Sequence, residues 1–543
     1  MILTEESYAE LQPQRTLQSE NDGPPGPKKG RKIRNSGYSH HGASRTKTST
    51  ISWISNSKSP SEDITENLEL LRERSRDLYA GGGPLGRGAV ERVVLNAVGP
   101  GLTLNCRIDS EALGISEDQA AEWERNTERE FGLWAESKDC DIARQLNFYE
   151  LQNLCFRSVL VNGDAVAMLP INPLKGVLYD LRVALIEGDR LCVPSPKPQG
   201  VVIDGGVELD GFGTPVAYHI ANRHPLAEQS GQPRLQYQRI PAFGNKTGRR
   251  NVLHIMPFER IGQHRGVPFL APVITTLKQL GRYADTELMA AVVGGMYAIF
   301  FEHEQIKEGE YGEEDESYAS EEGYGNPDGL LDELNLNEQM YGGVVDLPEG
   351  TKAKSLSPGR PNQAFEPFVM ALAKQIGSAT GLPAELLFLH FTSSYSASRG
   401  ALLEAWKLFS FWRNWWSANF CQPVYEEWLQ EAVLKGRINA PGFFEDPMKA
   451  YAYSWAEWNG PTQGQLDPWK EVKAAEARVK NGFSTRQRET MELTGGDWSM
   501  NHRQRAKEER MRREAGLADT ETKLKNEEGA EADGVDNNRE EQH

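Results

Sequence analysis

Apolar residues recur every three or four positions through Leu68, Leu71, Leu78 and Tyr79, with charges between them, which predicts a helix ended by Gly81-Gly82-Gly83-Pro84. A second helix is predicted over Ala89, Val90, Val93, Val94 and Ala97, stopped by Gly99-Pro100-Gly101. A third runs through Trp123, Phe131 and Trp134, and a fourth through Phe148, Leu151, Leu154, Val159 and Leu160. Between about 162 and 258 the pattern shortens to β-branched runs: Val166–Leu169, Arg182–Ile186, Val201–Ile203, Pro215–Ile220 and Val252–Ile255. Asn162-Gly163, Asp204-Gly205-Gly206, Asp210-Gly211 and Gly244-Asn245 punctuate them, and such runs between turn dipeptides predict a mostly antiparallel sheet. A basic loop, Lys246 to Arg250, interrupts it.

Helical periodicity returns over 271–300, through Val273, Leu277, Leu280, Ala284, Leu288 and Ala291. At ~1.5 Å per residue such a helix reaches roughly 40–45 Å if unbroken. Gly294-Gly295 weakens it, each Gly costing about 1 kcal/mol relative to Ala. Gly343–Pro348 reads as a returning strand, and a helix from Phe365 to about Thr380 ends at Gly381-Leu382-Pro383. After a Ser-rich loop at 392–398, a long helical stretch is predicted from Arg399 to Gly436. Its stripe is Leu402, Ala405, Leu408/Phe409, Trp412, Trp415/Trp416, Phe420, Val424 and Trp428, with a kink at Pro423. Beyond Trp455, Trp458 and Trp469 come a helix over 470–480 ended by Gly482, a basic stretch from Arg503 to Arg513, and an acidic tail without apolar period.

Length and charge sharpen this. At ~100–200 residues per domain, 543 residues suggest about three domains. The 60 Lys+Arg against 78 Asp+Glu leave a net charge of −18, which argues against a protein that coats nucleic acid by neutralising phosphates. Ten of the acids crowd into 302–322, among them Glu308, Glu310, Glu313, Glu314, Asp315 and Glu316, against Lys307 alone. Like charges at that density repel, predicting a loop or extended insertion. The first 60 residues, rich in Ser, Thr, Gly, Pro and Asn around Lys28, Lys29, Arg31, Lys32 and Arg34, read as a solvated arm, or as one that touches DNA or an assembly partner by charge. Five cysteines without a CxxC pair are expected to be reduced thiols. The N-terminus shows no signal pattern, and the most apolar stretch, Leu288 to Phe301, is shorter than the ~20 residues of a spanning helix. The expectation is a soluble intracellular protein.

Catalytic patterns are missing. His303-Glu304 lacks the second His of HExxH, and His219 and His224 stand without a Cys or carboxylate trio close in sequence, so both read as structural or surface histidines. There is no GxxxxGK[ST], no strand-GxGxxG-helix and no GxSxG, and Gly244–Gly248 is a basic turn. Two-metal sites need single carboxylates on rigid elements, not a self-repelling run. No catalytic residue, metal site or cofactor is therefore called. Taken alone, the residues leave open a metal-dependent phosphoryl-transfer enzyme such as a nuclease, and an acidic scaffold without a channel.

One ordered set of motifs goes further. Arg74–Tyr79, Gly88–Val94, Val98–Leu102, Asn162-Gly163-Asp164, Glu187–Arg190, Gly206–Asp210, Pro215–His219, Gln263–Pro272, Arg282–Leu288, Pro358–Phe368 and Ser394–Arg399 together resemble the portal proteins of lambda-type tailed bacteriophages, over about residues 65 to 500. The resemblance implies an α+β, portal-type fold that forms a ring, usually of twelve subunits, at one vertex of the phage head, where double-stranded DNA is packaged and ejected. It implies a flexible arm (1–60), a wing of helices and antiparallel sheet (61–265), a stem helix (266–300), a clip with the acidic insertion (301–350), a second stem helix (351–387), a tunnel loop (388–399), a long wing helix (400–450), a crown (451–515) and a disordered acidic tail (516–543).

Partners implied are further copies of the chain, the terminase, major capsid and scaffold proteins, head-tail adaptors and passing DNA, with no membrane. The location implied is the virion, and the host cytoplasm during assembly. Thr392, Ser393, Ser394, Tyr395, Ser396 and Arg399 would face DNA, and the six acids from Glu308 to Glu316 would form the clip surface. His390 stands where the family's loop usually carries Asp. A duplex must slide through such a bore, so its wall should not grip phosphates, and twelve copies each at −18 would repel it.

Overall fold

The computed structural model describes Thr48, Ser52 and residues 58–81, 83–227, 235–295, 299–303, 351–355, 362, 364–391, 394–464 and 467–517. By its contacts the chain divides after Ser57, and the described helices and strands all belong to the unit Lys58–His543.

Helices α1 (Leu68–Ala80), α2 (Pro84–Ala97), α3 (Glu117–Ala135) and α4 (Phe148–Asn162) form where the apolar period placed them. Local chemistry sets their starts. Ser116 and Asn147 each close a capping box with the residue three positions on, so helix-start amides that lack an intrahelical acceptor gain one. Their buried stripes meet α8 (Tyr395–Trp416) and α9 (Gln422–Leu434) in one core. Trp416 stacks on Phe420 at 4.7 Å, and Phe131 meets the Trp428 ring edge-on at 5.1 Å. Aromatic pairs of this kind contribute about 0.5–1.5 kcal/mol beyond their buried area. The Trp stripe is thus mostly intrachain core, with Trp416 and Trp428 fully enclosed.

The helical stretch expected from Arg399 to Gly436, kinked at Pro423, is refined in two ways. It starts earlier, at Tyr395, and the break attributed to Pro423 takes the form of a π turn at Ser417–Cys421 before α9 resumes. Pro423 has no N–H and its ring crowds the carbonyl four residues back; the wider turn just ahead of it relieves that conflict.

The strand pairs described are antiparallel, in keeping with the mostly antiparallel sheet expected over about 162–258. Strands β2 (Ala165–Met168), β3 (Ala184–Glu187) and β8 (Val252–Ile255) make one sheet in the order β3-β2-β8, with Val166 opposite both Ile186 and His254. Strands β4 (Val202–Asp204), β5 (Val207–Leu209), β6 (Pro215–Ala221) and β7 (Tyr237–Pro241) make a meander. The basic loop 246–250 is docked rather than free: Arg249 pairs with Glu427 at 2.6 Å, and the Arg250 amide donates to the same carboxylate at 3.1 Å. Unexpectedly, β1 (Thr103–Cys106) pairs with β11 (Ala456–Asn459), joining distant parts of the chain.

Helix α5 (Ile274–Gly295) is shorter than the predicted 271–300: residues 271–273 form a 3-10 turn and the helix ends at the glycine pair. Strand β9 (Ile299–His303) follows and pairs with β10 (Thr351–Ser355). The strand expected at 343–348 lies outside the described residues. The stretch 351–387 is not one helix but β10, α6 (Phe365–Thr380) and a short α7 (Ala384–Phe388), with Gly381 turning left-handed at φ 74° between the helices. Beyond α10 (Pro447–Ser454) lie α11 (Pro468–Lys480), α12 (Arg486–Thr494) and α13 (Trp498–Glu514). No described helix is long and apolar enough to cross a membrane.

Candidate functional site

The motifs Asn162-Gly163-Asp164, Glu187–Arg190 and Gln263–Pro272 lie far apart in the chain and meet at one buried point. Asp164, at the start of β2, is 0% exposed. Its carboxylate accepts from Arg265 Nε at 2.7 Å, from the Gly266 amide at 3.2 Å, from His254 Nε2 at 3.4 Å and from Arg72. Arg265 also donates to the Leu191 carbonyl and the Gly188 carbonyl, each at 2.6 Å, and to Gly205 O. Arg72 Nε reaches the Asn162 carbonyl at 2.8 Å, and Arg76 binds Asn162 Oδ1 at 2.7 Å and pairs with Asp189.

Burial alone would raise the Asp164 pKa, but the guanidinium groups of Arg265 and Arg72 more than reverse it and hold the carboxyl well below its ordinary range. Burial lowers Arg72 to about 10 and pushes His254 below its ordinary value, the latter against the pull of Asp164. The glycines of these motifs have a steric reason. A Cβ on Gly266 would lie 1.9 Å from the Gly163 carbonyl oxygen, and one on Gly188 would lie 1.9 Å from Asp164 Oδ1. Chemically this is a lock, not a reaction centre: a buried anion saturated by arginines, fastening the turn that leads into α5.

Beyond that lock α5 leaves the body. Among its described side chains the last buried one is Leu280, and on α6 burial begins at Ala373. The two helices are tied by Tyr283, which stacks on Phe365 at 5.5 Å and meets Phe368 edge-on at 5.0 Å, and by Asn362 donating to Glu287 at 2.8 Å. They form a two-helix stalk, with β9 following α5 in the chain and β10 preceding α6.

Of the residues expected to face DNA, Thr392 and Ser393 lie outside the described residues. Ser394 is the exposed residue preceding α8, Tyr395 is the first helical residue, and Ser396 is exposed on the first turn. Arg399 is half-buried and faces a groove of about 620 Å³ with Trp406, Lys470 and Arg478. The structure therefore places Arg399 against α11 rather than at the tip of a loop, and 395–399 is helix. Glu308, Glu310, Glu313, Glu314, Asp315 and Glu316 lie outside the described residues.

Two histidines divide. His219 is buried and meets Glu208 at 3.0 Å, a satisfied structural histidine as expected. His224 differs from expectation: the fold brings Glu187 and Asp189 to it, with ligand atoms within 4.8 Å of one another. Asp189 is already paired with Arg76, however, and His224 Nδ1 accepts the Leu226 amide at 3.2 Å.

Sequence reasoning quoted Asp164 and Arg265 only as motif letters and missed Arg72 and His254. Signals existed: His254 interrupts the apolar run Val252–Ile255, and Arg72 sits four residues after Leu68 on the buried stripe of its helix.

A family model described as phage portal protein, lambda family, matches residues 46–413. Portal protein B of Escherichia phage lambda is 23% identical over 497 residues, covering 89% of this chain and 91% of that protein. The portal protein of Escherichia phage N15 is 23% identical, covering 86% and 88%, and the probable portal protein of Halomonas phage phiHAP-1 is 24% identical, covering 79% and 78%. Among solved structures, a chain in the neck of a native gene transfer agent particle computed with C12 symmetry is similar at 14% identity and a TM-score of 0.39, over 76% of this chain and 90% of that one.

Proposed function

This chain belongs to the lambda family of phage portal proteins, structural virion components rather than enzymes, and on that premise we propose that twelve copies close into a ring at one capsid vertex. Double-stranded DNA passes through its centre during packaging and ejection, and the terminase and then head-tail adaptors dock on its outer end. The observation that carries this reading is the stalk. Its two helices lose their burial beyond Leu280 and before Ala373 and leave Leu288, Met289 and Phe368 exposed. A lone chain has no use for such a surface, whereas stalks side by side in a ring bury it. A second patch, Phe444, Met448, Tyr451 and Trp455 around α10, is also exposed and suits a head-to-tail contact between neighbours.

In this assignment the acidic run Glu308–Glu316 belongs to the clip that meets packaging and neck partners. Residues 392–396 and Arg399 lie near the bore, where hydroxyls touch phosphates briefly without neutralising them. The test is negative-stain microscopy of the purified chain. Annular particles with a central hole are expected; compact solid particles under every condition overturn the ring. Arg399→Glu should change DNA packaging or retention while rings still form, and loss of rings would make Arg399 an interface residue instead.

A further inference from the structure

The C-terminal helices are packed far more thinly than the body. Helix α13 buries none of its residues, α11 buries only Ala475 and α12 only Glu489, the last held to Arg478 by bonds of 2.8 and 2.6 Å. Between them lies an open groove of about 1400 Å³. Val472, Val479, Leu493 and Trp498 supply apolar surface to it, Lys480, Arg486, Arg505, Arg510 and Arg513 supply positive charge, and of its acids Glu476, Glu489 and Glu509, the last two are already paired with Arg478 and Arg512. The spacing 498, 502, 505, 509, 513 on α13 turns one whole face toward this groove. Among the described residues the guanidinium groups of Arg505, Arg510 and Arg513 have no partner, in a chain whose net charge is −18.

An apolar floor under a cationic rim fits an acidic peptide better than a duplex, which offers phosphates but no side chains to seat. Such a peptide begins at the end of the same helix. Gly516, at φ 71°, turns the chain, with its amide bonded to the Arg513 carbonyl at 3.1 Å and the Leu517 amide to the Arg512 carbonyl at 2.9 Å. The helix therefore stops and the chain changes direction there. Residues 518–543 then carry nine acids against three bases, with Leu524 and Val535 among them. Twenty-six residues at up to ~3.3 Å each reach roughly 85 Å, several times the length of α13.

We propose that the groove between α11, α12 and α13 is the docking site of the chain's own C-terminal segment, residues 518–543. Its carboxylates meet Arg505, Arg510 and Arg513, and Leu524 rests on the apolar floor. The segment acts as a built-in counterion that screens the most basic part of the protein from other polyanions. This does not depend on the ring.

The test uses a fluorescent peptide of residues 518–543 and a chain ending at Leu517. The shortened chain is expected to bind the peptide saturably, and the intact chain to refuse it. The joint change Arg505→Glu, Arg510→Glu, Arg513→Glu should weaken binding by about tenfold or more, since it removes three attractions at once and puts a like charge in place of each. Failure of the shortened chain to bind overturns the proposal, as does equal binding by the intact chain. Capture of a random 30-base-pair duplex without capture of the peptide also overturns it, and makes the groove a nucleic-acid surface. Should the shortened chain misfold, hydrogen exchange on the intact chain decides. Slow exchange within 518–543 that is lost in the triple variant supports docking, and fast exchange in both refutes it.

Discussion

The body around β2 and the stalk of α5 and α6 sort their side chains in opposite ways. In the body, charge is inside: Asp164 is 0% exposed and Arg72 and Arg265 are each 3% exposed. Along the stalk, hydrocarbon is outside: Leu288 is 67% and Met289 66% exposed. Buried ions survive only when each is paired and hydrogen-bonded, and exposed apolar surface persists only where something covers it. The body meets its condition within one chain, so it is finished alone. The stalk does not, so its sequence is written for an assembly. That contrast explains why three motifs far apart in the chain meet at the lock: it fixes the direction in which α5 departs, and a small error there is magnified along the helix.

The largest effect that tests this contrast is Asp164→Ala. It strands Arg72 and Arg265 in the interior, and breaking a buried pair by removing one partner costs about 3–5 kcal/mol. Urea titration measures it, and a loss below about 1 kcal/mol would show that the cluster is not what holds the body.

The lock also makes stability depend on pH with a definite sign. Asp164 titrates well below its ordinary range in the folded state, so the unfolded chain binds its proton first. Its contribution is complete above about pH 4 and drains away as pH falls below that. His254 is likewise depressed, because burial disfavours its charged form. Its contribution is complete above about pH 6.5 and declines below it. The loss contributed by His254 should therefore begin near pH 6, well before that of Asp164.

How much of this was legible in the sequence follows from range. Helices α1 to α4 and α6 were read close to their true spans because a 3.6-residue period is local information. Strands β5 and β7 were missed: Val207–Leu209 is too short to show alternation, and Tyr237–Pro241 is half polar. The β1-β11 pair carries no local signal at all, since its strands lie in different thirds of the chain. For the lock, the motif order was visible but not the meeting. A polar letter such as Asp164 looks the same on a surface as in a saturated interior. For the stalk the error ran the other way: Leu288 continues the apolar period of Leu277 and Leu280, and period alone does not say whether the covering partner is the same chain.

That ambiguity gives a paired experiment on one helix. Leu277, at the body end of α5, is 4% exposed, and Leu277→Ala should cost about 2–4 kcal/mol in the urea assay. Leu288→Ala, farther along the same helix, should stay within about 0.5 kcal/mol on the dissociated chain. The same change should reduce the yield of annular particles. A stability loss at Leu288 as large as at Leu277 would place the stalk face in the chain's own core and remove the contrast.

A further effect concerns a carboxyl that the body half buries with no ion pair among the described residues. Glu128, half-buried on α3, accepts the Cys106 amide at 2.9 Å, and burial pushes its carboxyl up to about 7. The folded state therefore holds a proton that the unfolded chain, titrating near ~4.3, has released. Stability from this group is greatest below about pH 4 and is lost as pH rises toward 7, the reverse of Asp164. Glu128→Gln keeps an oxygen for the Cys106 amide and removes the charge. It should stabilise the chain by up to about 3–4 kcal/mol at pH 8 and leave it unchanged at pH 4. Equal effects at both pH values would mean that Glu128 acts through packing, and that Asp164 differs from it in more than the arginines around it.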